Sequence, residues 1–276
     1  MYTNVKKIHN MKHFLILFLL VFTFSCKNES KPSDIQEPAE EQQVEDTNKY
    51  TLKAFAASEP FHGARIFFKG YKNGVFDFDV IGDKYKLGEQ TPDAAQKMCA
   101  NSGEGQHIHL IADSAPYAAK YVEEFEHSLE DGEYHILAFL SRSYHESIKH
   151  PDARIAMKAT IENKTITAQD AIEGPMLFYS RPKGTYVGKK NTEKVMLDFY
   201  LHNVNLGQEY KVIANINGED HTIQRWEPYY IEGLPIGKNT ITLTLVDAGG
   251  NAVEVPNNPV TREFELKEDP AENIES

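Results

Sequence analysis

Beyond residue 50 the chain is written in short runs where apolar and polar positions alternate. Ile66-Phe67-Phe68, Val75-Phe76-Asp77-Phe78-Asp79-Val80 and the stretches 136–140, 195–201 and 241–245 are rich in β-branched or aromatic residues, and turn residues bound them. The pattern predicts strands. Asn73-Gly74 and Gly249-Gly250-Asn251 read as hairpin turns. No stretch past residue 50 keeps a helical period for three turns, though 94–99 has room for a short helix.

The strand pattern occurs twice. The segment Gly105-Gln106-His107-Ile108-His109-Leu110-Ile111-Ala112-Asp113 aligns with 207–215, and 129–140 aligns with 234–245. Two all-strand copies of this size predict two tandem β-sandwiches, 50–170 and 174–268. Alternation fixes their faces. Ile241, Leu243 and Leu245 turn inward and Thr240, Thr242 and Thr244 outward. By the same register Ile108, Leu110, Ile136, Ala138 and Leu140 turn inward in the first copy. His107, His109, Ile111, Leu137 and Phe139 then face outward. An outer face of this kind needs a cover. The first copy also carries an insertion, 87–104, with Met98 and Cys99. The insertion is expected to lie on Leu137 and Phe139 and to bring both sulfurs toward His107 and His109.

Ahead of the strands the pattern changes. From Met11, a lysine and a histidine precede the apolar run Phe14-Leu15-Ile16-Leu17-Phe18-Leu19-Leu20-Val21-Phe22, which ends at Ser25-Cys26. The run suits a secretory signal, 1–25, and is too short to span a bilayer. Residues 26–49 hold seven acids, two prolines and no aromatic residue before Tyr50, and read as a flexible tether. Residues 269–276 form a short tail. The whole chain has 29 basic and 41 acidic residues, a formal charge of −12. That balance argues against nucleic acid as a partner. Two cysteines make no disulfide framework.

Candidate chemistry gathers in the first copy. Six of the eleven histidines lie between His107 and His150. His107 and His109, two apart on a strand, put both rings on one side, and His145 follows the later strand. With Cys99 they form a candidate site for copper or zinc. The second copy has Glu209, Lys211 and Gly250 at the matching places, so the fold itself does not require these histidines. Arg142 could pair with a phosphate. Tyr229 and Tyr230 stand in an aromatic stretch beside the only tryptophan, Trp226, and are candidates for a ligand such as a glycan. Trp226 aligns with Phe125, which points to a core position. No G-x-S-x-G, H-E-x-x-H, Walker or dinucleotide motif occurs, and the expectation is a binding protein and not an enzyme.

Several of these segments resemble known families. Ser25-Cys26 after the apolar run resembles the lipobox of bacterial lipoproteins, which implies cleavage before Cys26 and a lipid on its thiol. The stretch 234–247 with Gly250-Asn251 resembles bacterial immunoglobulin-like modules. His107-Ile108-His109-Leu110, Asp113, Gly132 and His145 resemble small periplasmic β domains. The chain after Met11, through Leu87-Gly88-Glu89-Gln90 and Met176-Leu177-Phe178-Tyr179-Ser180-Arg181-Pro182-Lys183-Gly184-Thr185-Tyr186, resembles Bacteroidota lipoproteins described as phosphopeptide-binding proteins. These resemblances imply a lipid-anchored envelope protein with two tandem immunoglobulin-like sandwiches. Its ligand would be a phosphopeptide or other peptide, a partner protein or a glycan. It would meet the membrane through its anchor alone. Cys26→Ser should leave the protein uncut or free of lipid, and a variant that partitions into Triton X-114 like the wild type would refute the lipobox.

Overall fold

The computed structural model describes residues 48–97 and 100–270. The segment expected to be a signal, Cys26, the stretch expected to be a tether up to residue 47, Met98, Cys99 and the tail from 271 lie outside the described residues. The chain is built from strands β1 (Thr51–Ala54), β2 (Arg65–Lys72), β3 (Val75–Ile81), β4 (His107–Ala112), β5 (Ala118–Lys120), β6 (Glu124–Glu126), β7 (Gly132–Ser141), β8 (Arg154–Glu162) and β9 (Thr165–Asp170). It continues with β10 (Met176–Arg181), β11 (Gly184–Val187), a four-residue helix α1 (Lys189–Thr192), β12 (Lys194–His202), β13 (Tyr210–Ile216), β14 (Glu219–Ile223), β15 (Tyr229–Glu232), β16 (Gly237–Asp247) and β17 (Val260–Lys267). The predicted short helix at 94–99 is a single 3-10 turn, Ala94–Gln96. Among the described residues no helix is long and apolar enough to cross a membrane.

Two-residue hairpins join β2 to β3, β8 to β9 and β13 to β14. Their central residues, Asn73-Gly74, Asn163-Lys164 and Asn217-Gly218, all have positive φ. That conformation matches the right-handed twist of the flanking strands.

The protein is two β-sandwiches. In the first, the sheet β2-β3-β6 faces the sheet β5-β4-β7-β8-β9. Ile66, Phe76 and Phe78 meet Ile108, Leu110, Ile136, Ala138 and Leu140 in its core. In the second, β1-β15-β12-β10 faces β11-β17-β16-β13-β14. Leu177, Val195, Leu197 and Phe199 meet Val212, Ala214, Ile241, Leu243 and Leu245. The inward sets read from alternation are thus the residues that fill the two cores.

Two expectations need correction. Residues 51–54 were assigned to the first sandwich, but β1 pairs antiparallel with β15 of the second, Thr51 opposite Glu232. Four residues carry no register information of their own, and their partner lies far along the chain. The second correction concerns the outer face of β4 and β7. Ile111, Leu137 and Phe139 are buried against Met176, Phe178 and Tyr200, which come from β10 and β12. The second sandwich covers this face, where the 87–104 insertion was expected. The reason lies in β10 and β12, which are buried on both faces and therefore show no alternation. The insertion instead packs along the turn after β7. Ser102 N donates to Ser143 O at 2.8 Å, and the Thr91 and Ser143 hydroxyls each accept from the other residue's N–H.

Polar groups close the same interface. Asp198 on β12 is fully buried and accepts from Lys149 Nζ at 2.5 Å and from Ser147 N at 3.0 Å. Arg154 donates to His202 Nδ1 at 2.8 Å. Phe139→Ala would empty the centre of the contact and should cost about 3–5 kcal/mol of stability in urea unfolding, and a loss below about 1 kcal/mol would show that the interface is not tightly packed.

Candidate metal centre

The site is built on β4 and on the turn that follows β7. Before β4, Gly105 sits at φ +92, where a Cβ would lie 2.6 Å from the Gly88 carbonyl, so only glycine fits. The turn aims its carbonyl at His107, whose Nδ1 donates to it at 2.7 Å. His107 and His109 then emerge on the face opposite Ile108 and Leu110. After β7 the chain reverses: His145 N donates to Arg142 O at 2.8 Å and Arg142 N to Glu146 O at 3.0 Å. His145 itself takes φ +68, a left-handed conformation uncommon outside glycine. That turn folds its imidazole back over β4.

Three ring nitrogens converge as a result. His107 Nε2 lies 2.8 Å from His109 Nε2 and 3.0 Å from His145 Nδ1, and the last two are 3.3 Å apart. The triangle they span has a circumradius of about 1.8 Å, so an ion at a zinc–imidazole distance of about 2.0–2.1 Å from all three would stand about 1 Å off their plane. His107 and His109 are fully buried, and His145 keeps partial exposure.

The surroundings fix ring orientation and charge. A carbonyl accepts only, so Gly105 makes Nδ1 the protonated nitrogen of His107 and leaves Nε2 as a lone pair. Ser180 Oγ on β10 lies 3.2 Å from His109 Nδ1, the nitrogen turned away from the cluster. The Tyr117 ring stacks on His109 with centroids 3.6 Å apart, and its hydroxyl lies 3.2 Å from His145 Nδ1. Burial pushes the Tyr117 phenol up to about 12. Burial also pushes His107 down to about 4, with Arg181 and Lys183 adding to the effect. His109 and His145 lie well below the ordinary imidazole value, both first through burial; His107 and His145 come next for His109, and Arg181 and then His107 for His145. Burial therefore favours three neutral rings, and on His107 the Gly105 carbonyl leaves the Nε2 lone pair turned toward the other two.

The other sequence candidates lie elsewhere. Cys99 and Met98 fall outside the described residues. Arg142 is buried. Its guanidinium donates to Glu59 O at 2.6 Å and pairs with Glu146 at 3.7 Å, so a phosphate would have to displace that carboxylate. Tyr229 is part of the second core and donates to Arg225 O. Tyr230 packs on Phe55 at 4.6 Å between centroids. Trp226 bridges the second core and the interface and donates to Phe199 O. The sequence reading missed Tyr117, Ser180 and Lys183 at this site. Ser180-Arg181-Pro182-Lys183 was visible as a motif, but nothing in one sequence joins it to β4. Tyr117 left no signal at all.

No family model matches the chain, and no curated protein sequence matches it. Among solved structures, the fibronectin(III)-like modules of Clostridium thermocellum CbhA align over 34% of this chain and 100% of their own, with 17% identity and a TM-score of 0.28. The extracellular domain of a hybrid two component system from B. thetaiotaomicron aligns over 78% of this chain with 9% identity and a TM-score of 0.26. The chain spans 38% of that domain's length. The sandwich architecture itself stands on the strand order and the two cores.

A ring whose folded pKa lies below its ordinary 6.5 takes up a proton on unfolding. The metal-free protein should be most resistant to urea above pH 6.5 and lose stability steadily as pH falls toward 4. A midpoint that stays level from pH 7 to pH 4.5 would contradict the burial of the neutral triad.

Proposed function

We propose that this is an envelope-anchored transition-metal-binding protein that holds copper or zinc on His107, His109 and His145. The observation that carries the reading is the lone pair on His107 Nε2. Gly105 fixes it, and it faces two further ring nitrogens at 2.8 and 3.0 Å where burial disfavours a proton. A metal cation satisfies all three donors at once. The anchoring half of the proposal rests on the lipobox-like Ser25-Cys26 and the acidic, aromatic-free stretch behind it.

Binding fits this site better than turnover. Two of the three rings are fully buried, and no carboxylate joins the described cluster to act as acid or base. A phosphopeptide, a partner protein and a glycan are weaker readings. Arg142 is held by Glu59 and Glu146, and Tyr229 and Tyr230 are packed against other residues.

Metal content decides the matter. The purified protein, incubated with zinc or copper and desalted, should retain one ion per chain. His145→Ala keeps both buried strand histidines and should bind more than about 100-fold more weakly, beyond the usual effect of losing a supporting group. No retained metal, or equal retention by the variant, would overturn the proposal.

A further inference from the structure

The charges around the triad bear on which ion it takes. The three imidazoles bring no charge. Behind His107 stands a carbonyl and behind His109 a hydroxyl, at positions where metal-bound histidines often lean on a carboxylate. The described cluster contains three imidazoles and no acid.

Two positive side chains of the second sandwich, Arg181 and Lys183, act on the three rings. Arg181 follows Ser180 on β10 and is buried. Lys183 holds its ammonium 4.0 Å from the Tyr117 centroid, on the ring face away from His109, and donates to the Tyr117 carbonyl at 2.8 Å. One aromatic ring therefore separates this ammonium from a proposed ligand. The same crowding shows in Lys183 itself, whose pKa is lowered by burial and then by Arg181 and Arg262.

Each positive charge on a bound ion is repelled by this surround, so a divalent ion suffers about twice the penalty of a monovalent one. Resting on the metal-binding function just proposed, we infer that the triad selects monovalent copper over divalent zinc, and that Lys183 is a determinant of that choice.

The test is an anaerobic competition on the full protein. Copper(I) is supplied as its acetonitrile complex against zinc sulfate, and each ion is read with a chromophoric chelator. Equimolar copper(I) should displace zinc from the wild type. Lys183→Met should move the affinity ratio toward zinc by roughly tenfold, from the loss of one charge that a single aromatic ring separates from His109, at an intermediate dielectric. Lys183→Arg should keep the wild-type ratio, which separates charge from packing. If zinc displaces equimolar copper(I) from the wild type, the inference is wrong. It is equally wrong if folded Lys183→Met, checked by circular dichroism, leaves the ratio where it was. Should Lys183→Met fail to fold, the wild-type competition still decides the selection. If the wild type retains neither ion, the metal-binding function falls first and the selection with it. Binding of both with zinc preferred removes the selection alone.

Discussion

Ile111, Leu137 and Phe139 leave the outer face of the first sandwich and pack on Met176, Phe178 and Tyr200 of the second. Burying each large apolar side chain is worth roughly 1.5–3 kcal/mol, so this contact weighs as much as part of a core. Its position governs the remaining chemistry. β4 is buried along its whole length, and the histidines that share a face with Ile111 are carried out of water with it. An exposed His-x-His pair would be a pair of ordinary imidazoles. Beneath a second sandwich it becomes a desolvated donor set.

The same contact supplies the groups that orient those donors. Ser180 reaches His109 from β10, and Lys183 reaches the carbonyl of Tyr117, whose ring lies flat on His109. The first sandwich contributes the three ring nitrogens, while the second places a hydroxyl beside His109 and positive charge around the site. Neither sandwich holds the complete environment, although the three proposed ligands all come from one.

Much of this was legible in the sequence because period-two alternation survives wherever a strand has one wet face. β16 shows it plainly, with buried Ile241, Leu243 and Leu245 between half-exposed threonines. The inward sets of β4 and β7 followed by register from the repeat. His107, His109 and His145 could be singled out because the second copy lacks them. What was hidden is what alternation cannot encode. β10 and β12 are buried on both sides, so neither face looks like an interface. That left the 87–104 insertion as the apparent cover for Leu137 and Phe139. The reversal at His145, with its positive φ, and the approach of Ser180 to His109 are tertiary facts with no local pattern.

The path of β1 has a consequence for the order of events during synthesis. Its partner β15 is about 180 residues further on, so in a chain delivered N-terminus first, by the ribosome or through an export channel, the first segment of the folded region emerges long before its hydrogen-bonding edge exists. Through that interval β1 has no partner strand. Only after residue 232 has emerged can the chain tie its beginning into its end, and by then Ser180 and Lys183 have emerged as well. The docking of β1 is therefore a late step, and it comes after every residue named at the histidine site has been made.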